Sequence, residues 1–208
     1  QPAEEGLGGG KVMVEEGLFQ KFPMQTVWGM HNWPEMDVGK IAVHNGACMA
    51  AADFFEIYIT GSGGHAAIPD LTIDPIPCGA AIVQSLQSIV SRRITALEPA
   101  VVSVTIFDAG SALNVIPGAA RLGGTARSFS PEIRKLLEES IRDITQSTAK
   151  AFDCGVKIDW QPGYPPTVNH ADESSRAVFV ASDVLGAENV ITDLPPSMGA
   201  EDFAFMLG

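Results

Sequence analysis

No run of apolar residues in this sequence is long enough to cross a bilayer, and no segment pairs a charged start with an apolar centre as a secretory leader does. No membrane partner is therefore expected. Cysteine is scarce: Cys48, Cys78 and Cys154 stand far apart, their count is odd, and no CxxC occurs. That spacing excludes a local zinc knuckle and gives no disulfide framework, so a reducing, cytoplasmic setting is expected. Positive charge is scarce too. Thirteen Lys and Arg face 25 Asp and Glu, for a net charge of −12 and a pI near 4.6. Such a surface repels phosphate backbones and anionic headgroups, which excludes nucleic acid as a partner class. What remains is ordinary globular usage, with 46 % apolar and 18 % charged residues in 208, enough for one large domain or two small ones. The chain begins at Gln1 rather than Met, and it stops straight after the apolar run Phe203-Ala204-Phe205-Met206-Leu207. A piece of a longer protein is the expectation.

The clearest periodicity lies in the middle. Phe54 to Thr60 alternates, with Phe55, Ile57 and Ile59 on one face and Glu56, Tyr58 and Thr60 on the other, which predicts a strand. Gly61-Ser62-Gly63-Gly64 ends it. Ile82, Val83, Leu86, Ile89, Val90 and Ile94 fall at helical spacing and predict a helix from about Ile76 to Ile94. Val101–Phe107 and Ala119–Arg127 read as strands. Ser130-Pro131-Glu132 is a strong helix start: a capping hydroxyl, a proline at the first position and an acid in the first turn. Cys154-Gly155 ends that helix, and Val156–Trp160 alternates again. The order strand, helix, strand, strand, helix, strand over Phe54 to Gln161 predicts a ferredoxin-like split βαβ module, with two helices on one face of a four-stranded antiparallel sheet.

The flanks are less regular. Lys11 to Gly17 predicts a short helix, Thr26–Met30 a short buried strand leading to His31, and Ile41–Val43 another strand. Glu173–Leu185 predicts an amphipathic helix ended by Gly186, followed by a strand at Asn189–Thr192. Neither flank is long enough for a domain of its own. The expected organisation is 1–50 and 164–208 as parts of one α/β domain, with 51–163 inserted as a ferredoxin-like α+β domain.

Several residues could carry chemistry. Adjacent carboxylates at Glu4-Glu5 can point apart, one holding a metal and the other a water beside it, from which it takes a proton. A solvated acidic pair is the competing reading, and Glu15-Glu16 and Glu138-Glu139 show how common such pairs are. Pro2 ahead, Gly8-Gly9-Gly10 behind and His31 downstream favour the first. His31 ends an apparent strand, where an imidazole suits zinc, manganese, cobalt or nickel; a histidine satisfied by backbone groups is the alternative. His65 stands among glycines and small residues, where it could donate to a developing oxyanion or simply face water in a turn. Arg127 is the natural fork for a carboxylate, and Asn114 can hold a carbonyl or amide, against readings as a surface arginine and a turn asparagine. His44 and His170 have no such setting.

Together, QPAEEGLGGG, WGMHN, GSGGHAAIP, GSALNVIPGAARLGGTAR and MGAEDFAF resemble the M20 peptidases, in family order from residue 1 to residue 205. They are most similar to the amidohydrolase branch of hippurate, N-acyl-amino-acid and auxin-conjugate hydrolases. The resemblance implies a zinc-peptidase-like (phosphorylase/hydrolase-like) α/β domain with two divalent metals (Mn, Zn, Co or Ni), and an inserted ferredoxin-like lid that pairs two subunits in a homodimer. It implies Glu4 as general base, Glu5 and His31 as metal ligands, and His65 as the lid histidine that polarises the scissile carbonyl. Asn114 and Arg127 would hold the amide and carboxylate of an N-acyl amino acid. Glu201 lies in a motif near the site without a role. The family's metal centre also draws on a Cys/His motif upstream of the glutamates and on a later histidine, neither of which is in these 208 residues, so a full two-metal site is not expected here. Two other readings stay open: a non-catalytic ferredoxin-like dimerisation module, and an M20 dipeptidase or deacylase with another amide substrate.

Overall fold

A computed structural model of the chain describes residues 3, 4 and 8–208. In chain order it begins with two short helices, α1 (Gly9–Glu15) and α2 (Leu18–Lys21). Gly17, with φ of 86°, makes the break between them. A long irregular segment leads to strands β1 (Ile41–Ala42) and β2 (Gly46–Met49). The middle of the chain holds β3 (Ala51–Thr60), β4 (Gly64–His65), α3 (Pro75–Ser88), β5 (Ala100–Ala109), β6 (Val115–Ile116), β7 (Ala119–Ser128), α4 (Pro131–Ala151) and β8 (Gly155–Pro162). The last stretch holds β9 (Thr167–Asn169), α5 (Ala171–Leu185), β10 (Val190–Ile191) and a 3-10 turn at Asp202–Met206. Contacts divide the chain into two compact units, Gln1–Ala51 with Tyr164–Gly208, and Ala52–Gly163. No helix among the described residues is long and apolar enough to cross a membrane.

The Ala52–Gly163 unit follows from its sequence signals. Asp74 caps α3 by accepting from the Ile76 amide at 2.9 Å, and the Ser130 hydroxyl caps α4 by accepting from Ile133 at 3.2 Å. The sheet order is β5-β7-β3-β8. β3 pairs antiparallel with β8 from Asp53↔Pro162 to Thr60↔Gly155, and β5 pairs antiparallel with β7, with a register shift between Val104 and Ile106. Phe55, Ile57 and Ile59 enter one core with Ile82 and Leu86 of α3 and Leu137, Ile141 and Ile144 of α4. The Phe55 and Trp160 rings stack at 6.3 Å. Phe54, Glu56 and Tyr58 occupy the opposite face of β3, as period two requires. The expected helix to Ile94 ends earlier, at Ser88, and continues as a π turn over Ile89–Arg93. In that stretch the Ser88 hydroxyl donates to the Ser85 carbonyl at 2.6 Å and Ser91 to the Gln87 carbonyl at 3.1 Å.

In the other unit, β1 runs parallel to β10 and β2 antiparallel to β9. Asn169 and Ser174 both donate to the His44 carbonyl, tying β9 and α5 to the segment after β1. The strand expected at Thr26–Met30 is not formed. That segment is irregular, with Trp28 53 % and Met30 83 % exposed. Its apolar content matches a buried strand, but no described strand pairs with it, and an isolated strand is not stable.

Candidate active site

The candidate residues fall in both units. In the first unit, Ala3 adopts the left-handed region, with φ of 56°, immediately before Glu4. The Tyr164 hydroxyl donates to the Glu4 carbonyl, and its ring meets Phe205 edge-on at 6.0 Å. Glu5, the expected metal ligand, lies outside the described residues. The following helix is anchored from far along the chain. The Gly10 amide donates to the Asp202 carboxylate at 2.6 Å, and Asp202 is fully buried. A first-turn amide has no partner within its own helix, so this carboxylate satisfies it. A Cβ at Gly10 would lie 2.8 Å from the Asp202 carbonyl oxygen, which restricts the position to glycine.

His31 stands in the irregular segment, about half exposed, with Nε2 2.7 Å from Oε2 of Glu201. Glu201 is 7 % exposed, and its Oε1 accepts from the Phe203 amide at 3.1 Å, capping the 3-10 turn. Burial alone would raise the pKa of the Glu201 carboxyl. The hydrogen bonds from the Phe203 amide and His31, with Asp202 beside it, outweigh burial and hold the carboxyl below its ordinary range. Glu201, Asp202, Phe203 and Phe205 thus make the motif at 198–205 the common support of Glu4, α1 and His31. Asp202 and Tyr164 escape a sequence reading, because a Glu-Asp pair looks like solvated surface and the contacts span 160 to 192 residues. The flanking glycine and aromatics were the available signal of a buried acid.

Among the described residues no group of three side chains is gathered as a metal cage. The chemistry of what is present nonetheless fits a divalent cation. One nitrogen of a half-exposed imidazole is held by a buried carboxylate, which leaves the other nitrogen for a metal.

In the second unit, His65 lies on the ribbon β4-β6, paired with Val115, and the Ala66 amide donates to the Asn114 carbonyl at 3.1 Å. His65 and Asn114 are therefore brought together, both exposed. Gly63 permits this, since a Cβ there would lie 2.7 Å from the Ile116 carbonyl oxygen. The Ala67 amide donates to Nδ1 of His65 at 3.1 Å. Nδ1 is thus an acceptor, and a neutral ring then carries its proton on Nε2 as a donor.

Arg127 stands on a different sheet, at the end of β7. It is no ordinary surface arginine. Among the described residues its buried Nη1 has no hydrogen-bond partner, and the guanidinium lies over the Phe54 ring at 5.6 Å. Asp53 attracts it through space, but the Asp53 oxygens are taken by Arg134 at 2.6 and 2.7 Å and by the Gly163 amide at 3.1 Å. Burial lowers the pKa of Arg127 and Asp53 partly restores it. His44 has a backbone partner, with Nδ1 3.1 Å from the Leu194 carbonyl.

Over residues 1–208 the chain matches the family model described as Peptidase family M20/M25/M40. It is 41 % identical over 205 residues to a hippurate hydrolase of Campylobacter jejuni, covering 99 % of this chain and 54 % of that protein. It is 40 % identical over 204 residues to an N-acetylcysteine deacetylase of Bacillus subtilis, covering 98 % and 52 %. The crystal structure of Bacillus subtilis YXEP protein, described as a dinuclear metal binding peptidase from the M20 family, superposes with a TM-score of 0.79 at 31 % identity, over 99 % of this chain and 51 % of that one. The chain spans about half the length of the curated relatives it matches.

Proposed function

Because this chain belongs to peptidase family M20/M25/M40, we propose that it carries part of the active site of a metal-dependent amidohydrolase that cleaves N-acyl amino acids. The observation that carries the substrate class is Arg127. Its buried, unpartnered Nη1 calls for an anionic acceptor, and a free carboxylate fits its fork. The relatives are named for hippurate and N-acetylcysteine, which share that carboxylate beside an amide.

Glu5 and His31 would hold a divalent metal in this reading, and the metal when bound would supply Lewis acidity and lower the pKa of the attacking water. The Glu4 carboxylate takes a proton from the attacking water and passes it to the leaving amine. His65, with Nδ1 occupied by the Ala67 amide, donates from Nε2 to the oxyanion that develops on the scissile carbonyl. Asn114, on the same ribbon, holds the amide. Arg127 holds the carboxylate. The unit 52–163 acts as the ferredoxin-like lid and joins two subunits; its strand order and its two helices on one core support that reading. The unit formed by 1–51 and 164–208 belongs to the metal-binding α/β domain. Three free cysteines suit a reducing, cytoplasmic setting.

The test is hydrolysis of hippurate and other N-acyl amino acids by the full coding sequence supplied with manganese, cobalt or zinc. Glu4→Gln should lower kcat by about 10²–10⁴-fold with the fold intact. Turnover equal to wild type removes Glu4 as the base. No hydrolysis with any of these metals, together with dimerisation, favours a non-catalytic pairing module.

A further inference from the structure

We infer that Glu201 is a positioning residue that fixes the tautomer of His31 and so selects Nδ1 as the nitrogen offered to a divalent cation. This rests on the reading of His31 as a metal ligand, and adds the residue that orients it and the atom that ligates. The Glu201 carboxylate has two separate engagements. Oε1 accepts from the Phe203 amide at 3.1 Å, and Oε2 lies 2.7 Å from Nε2 of His31. An ionised carboxylate only accepts, so the proton of that contact belongs to Nε2. A neutral imidazole then has one lone pair in its plane, on Nδ1. A ring that donates one N–H to a carboxylate is held in a fixed plane and is the more basic at its other nitrogen.

The carboxylate is itself held. Glu201 is 7 % exposed, while the His31 side chain is 49 % exposed and would rotate without it. The adjoining Asp202 is locked to the Gly10 amide at 2.6 Å, so the 3-10 turn that carries Glu201 is tied to α1. Capping the Phe203 amide needs only one oxygen. The second oxygen, at hydrogen-bond distance from an imidazole 170 residues earlier, does something a cap does not require.

Glu201→Gln separates the two roles. The amide oxygen still accepts from Phe203, so the cap is kept. The NH₂ group then faces Nε2 and cannot accept, which drives the ring proton to Nδ1. Two-dimensional ¹⁵N–¹H spectra of the histidine rings of the 208-residue chain, without metal, read the tautomer directly. The expected result is an Nε2–H ring for His31 in the wild type and a shift to Nδ1–H in Glu201→Gln. Paramagnetic broadening of the His31 ring by Mn²⁺ alone should need about 10–100-fold more metal in the variant. A wild-type His31 in the Nδ1–H form overturns the inference without any substitution, whether or not the variant folds. A folded Glu201→Gln with an unchanged tautomer overturns it as well. If the tautomers behave as expected but Mn²⁺ leaves the wild-type His31 ring sharp, the ligand reading fails while the orienting role of Glu201 stands.

Discussion

Arg127→Met removes a charge whose Nη1 is buried without a hydrogen-bond partner among the described residues, and the stability of the variant reads what that burial costs. Three terms decide the outcome. Leaving Nη1 buried without a partner costs about 1–3 kcal/mol, which methionine recovers. The contact with the half-exposed Phe54 ring, about 0.5–1 kcal/mol, is lost. A small further loss comes from the through-space attraction of Asp53, because its oxygens are already bonded to Arg134 and Gly163. The balance lies between neutral and a gain of about 2 kcal/mol. Arg134→Met is the control. It strips a bidentate partner from Asp53, which is 2 % exposed, and should cost about 3–5 kcal/mol. In urea unfolding of the 208-residue chain the two variants should move in opposite directions, or one should stay still. In a thermal melt Arg134→Met should lower Tm by on the order of 10 °C or more. On the full coding sequence, Arg127→Met should lose about 10–100-fold in its preference for a free carboxylate over the matching amide, the worth of one charge-assisted hydrogen-bonding group. If Arg127→Met destabilises the chain as much as Arg134→Met does, the guanidinium is structural and is not held in reserve for a substrate carboxylate.

Two further outcomes follow from local geometry. Gly63→Ala places a Cβ 2.7 Å from the Ile116 carbonyl oxygen and should open the β4-β6 ribbon at a cost of about 1–3 kcal/mol; hydrogen exchange at the Ala66 amide should accelerate, and unchanged protection there would show that the ribbon tolerates the methyl. The Cys78 thiol is pushed up to about 12, first by burial and then by Cys154 beside it, from an ordinary value of 9.0. Its neutral form is therefore favoured in the folded chain. The resulting stability is fully present below pH 9.0 and is lost as pH rises from there toward 12, at no more than about 1.4 kcal/mol per pH unit. Urea midpoints of wild type and Cys78→Ala, compared at pH 8, 9 and 10, should converge as pH rises, and parallel curves would contradict the burial of that thiol.

Local signals were enough wherever a short stretch decides its own structure. The alternation from Phe54 to Thr60 assigned three side chains to the core, because successive residues of a strand point to opposite faces whatever the strand pairs with. Ser130-Pro131 marked the start of α4, because a capping hydroxyl and a fixed proline φ act within one turn. The motifs also marked His31, His65, Asn114 and Arg127 as candidates before any contact was known. What those residues do depends on partners that no local pattern specifies. Thr26–Met30 has strand composition but pairs with no strand among the described residues, and it stays irregular. Arg127 is distinctive only because burial in the sheet takes Nη1 from water while Arg134 has already claimed Asp53. Glu201 and His31 lie 170 residues apart, and the contact between them exists only once folding brings a buried carboxylate to 2.7 Å from Nε2.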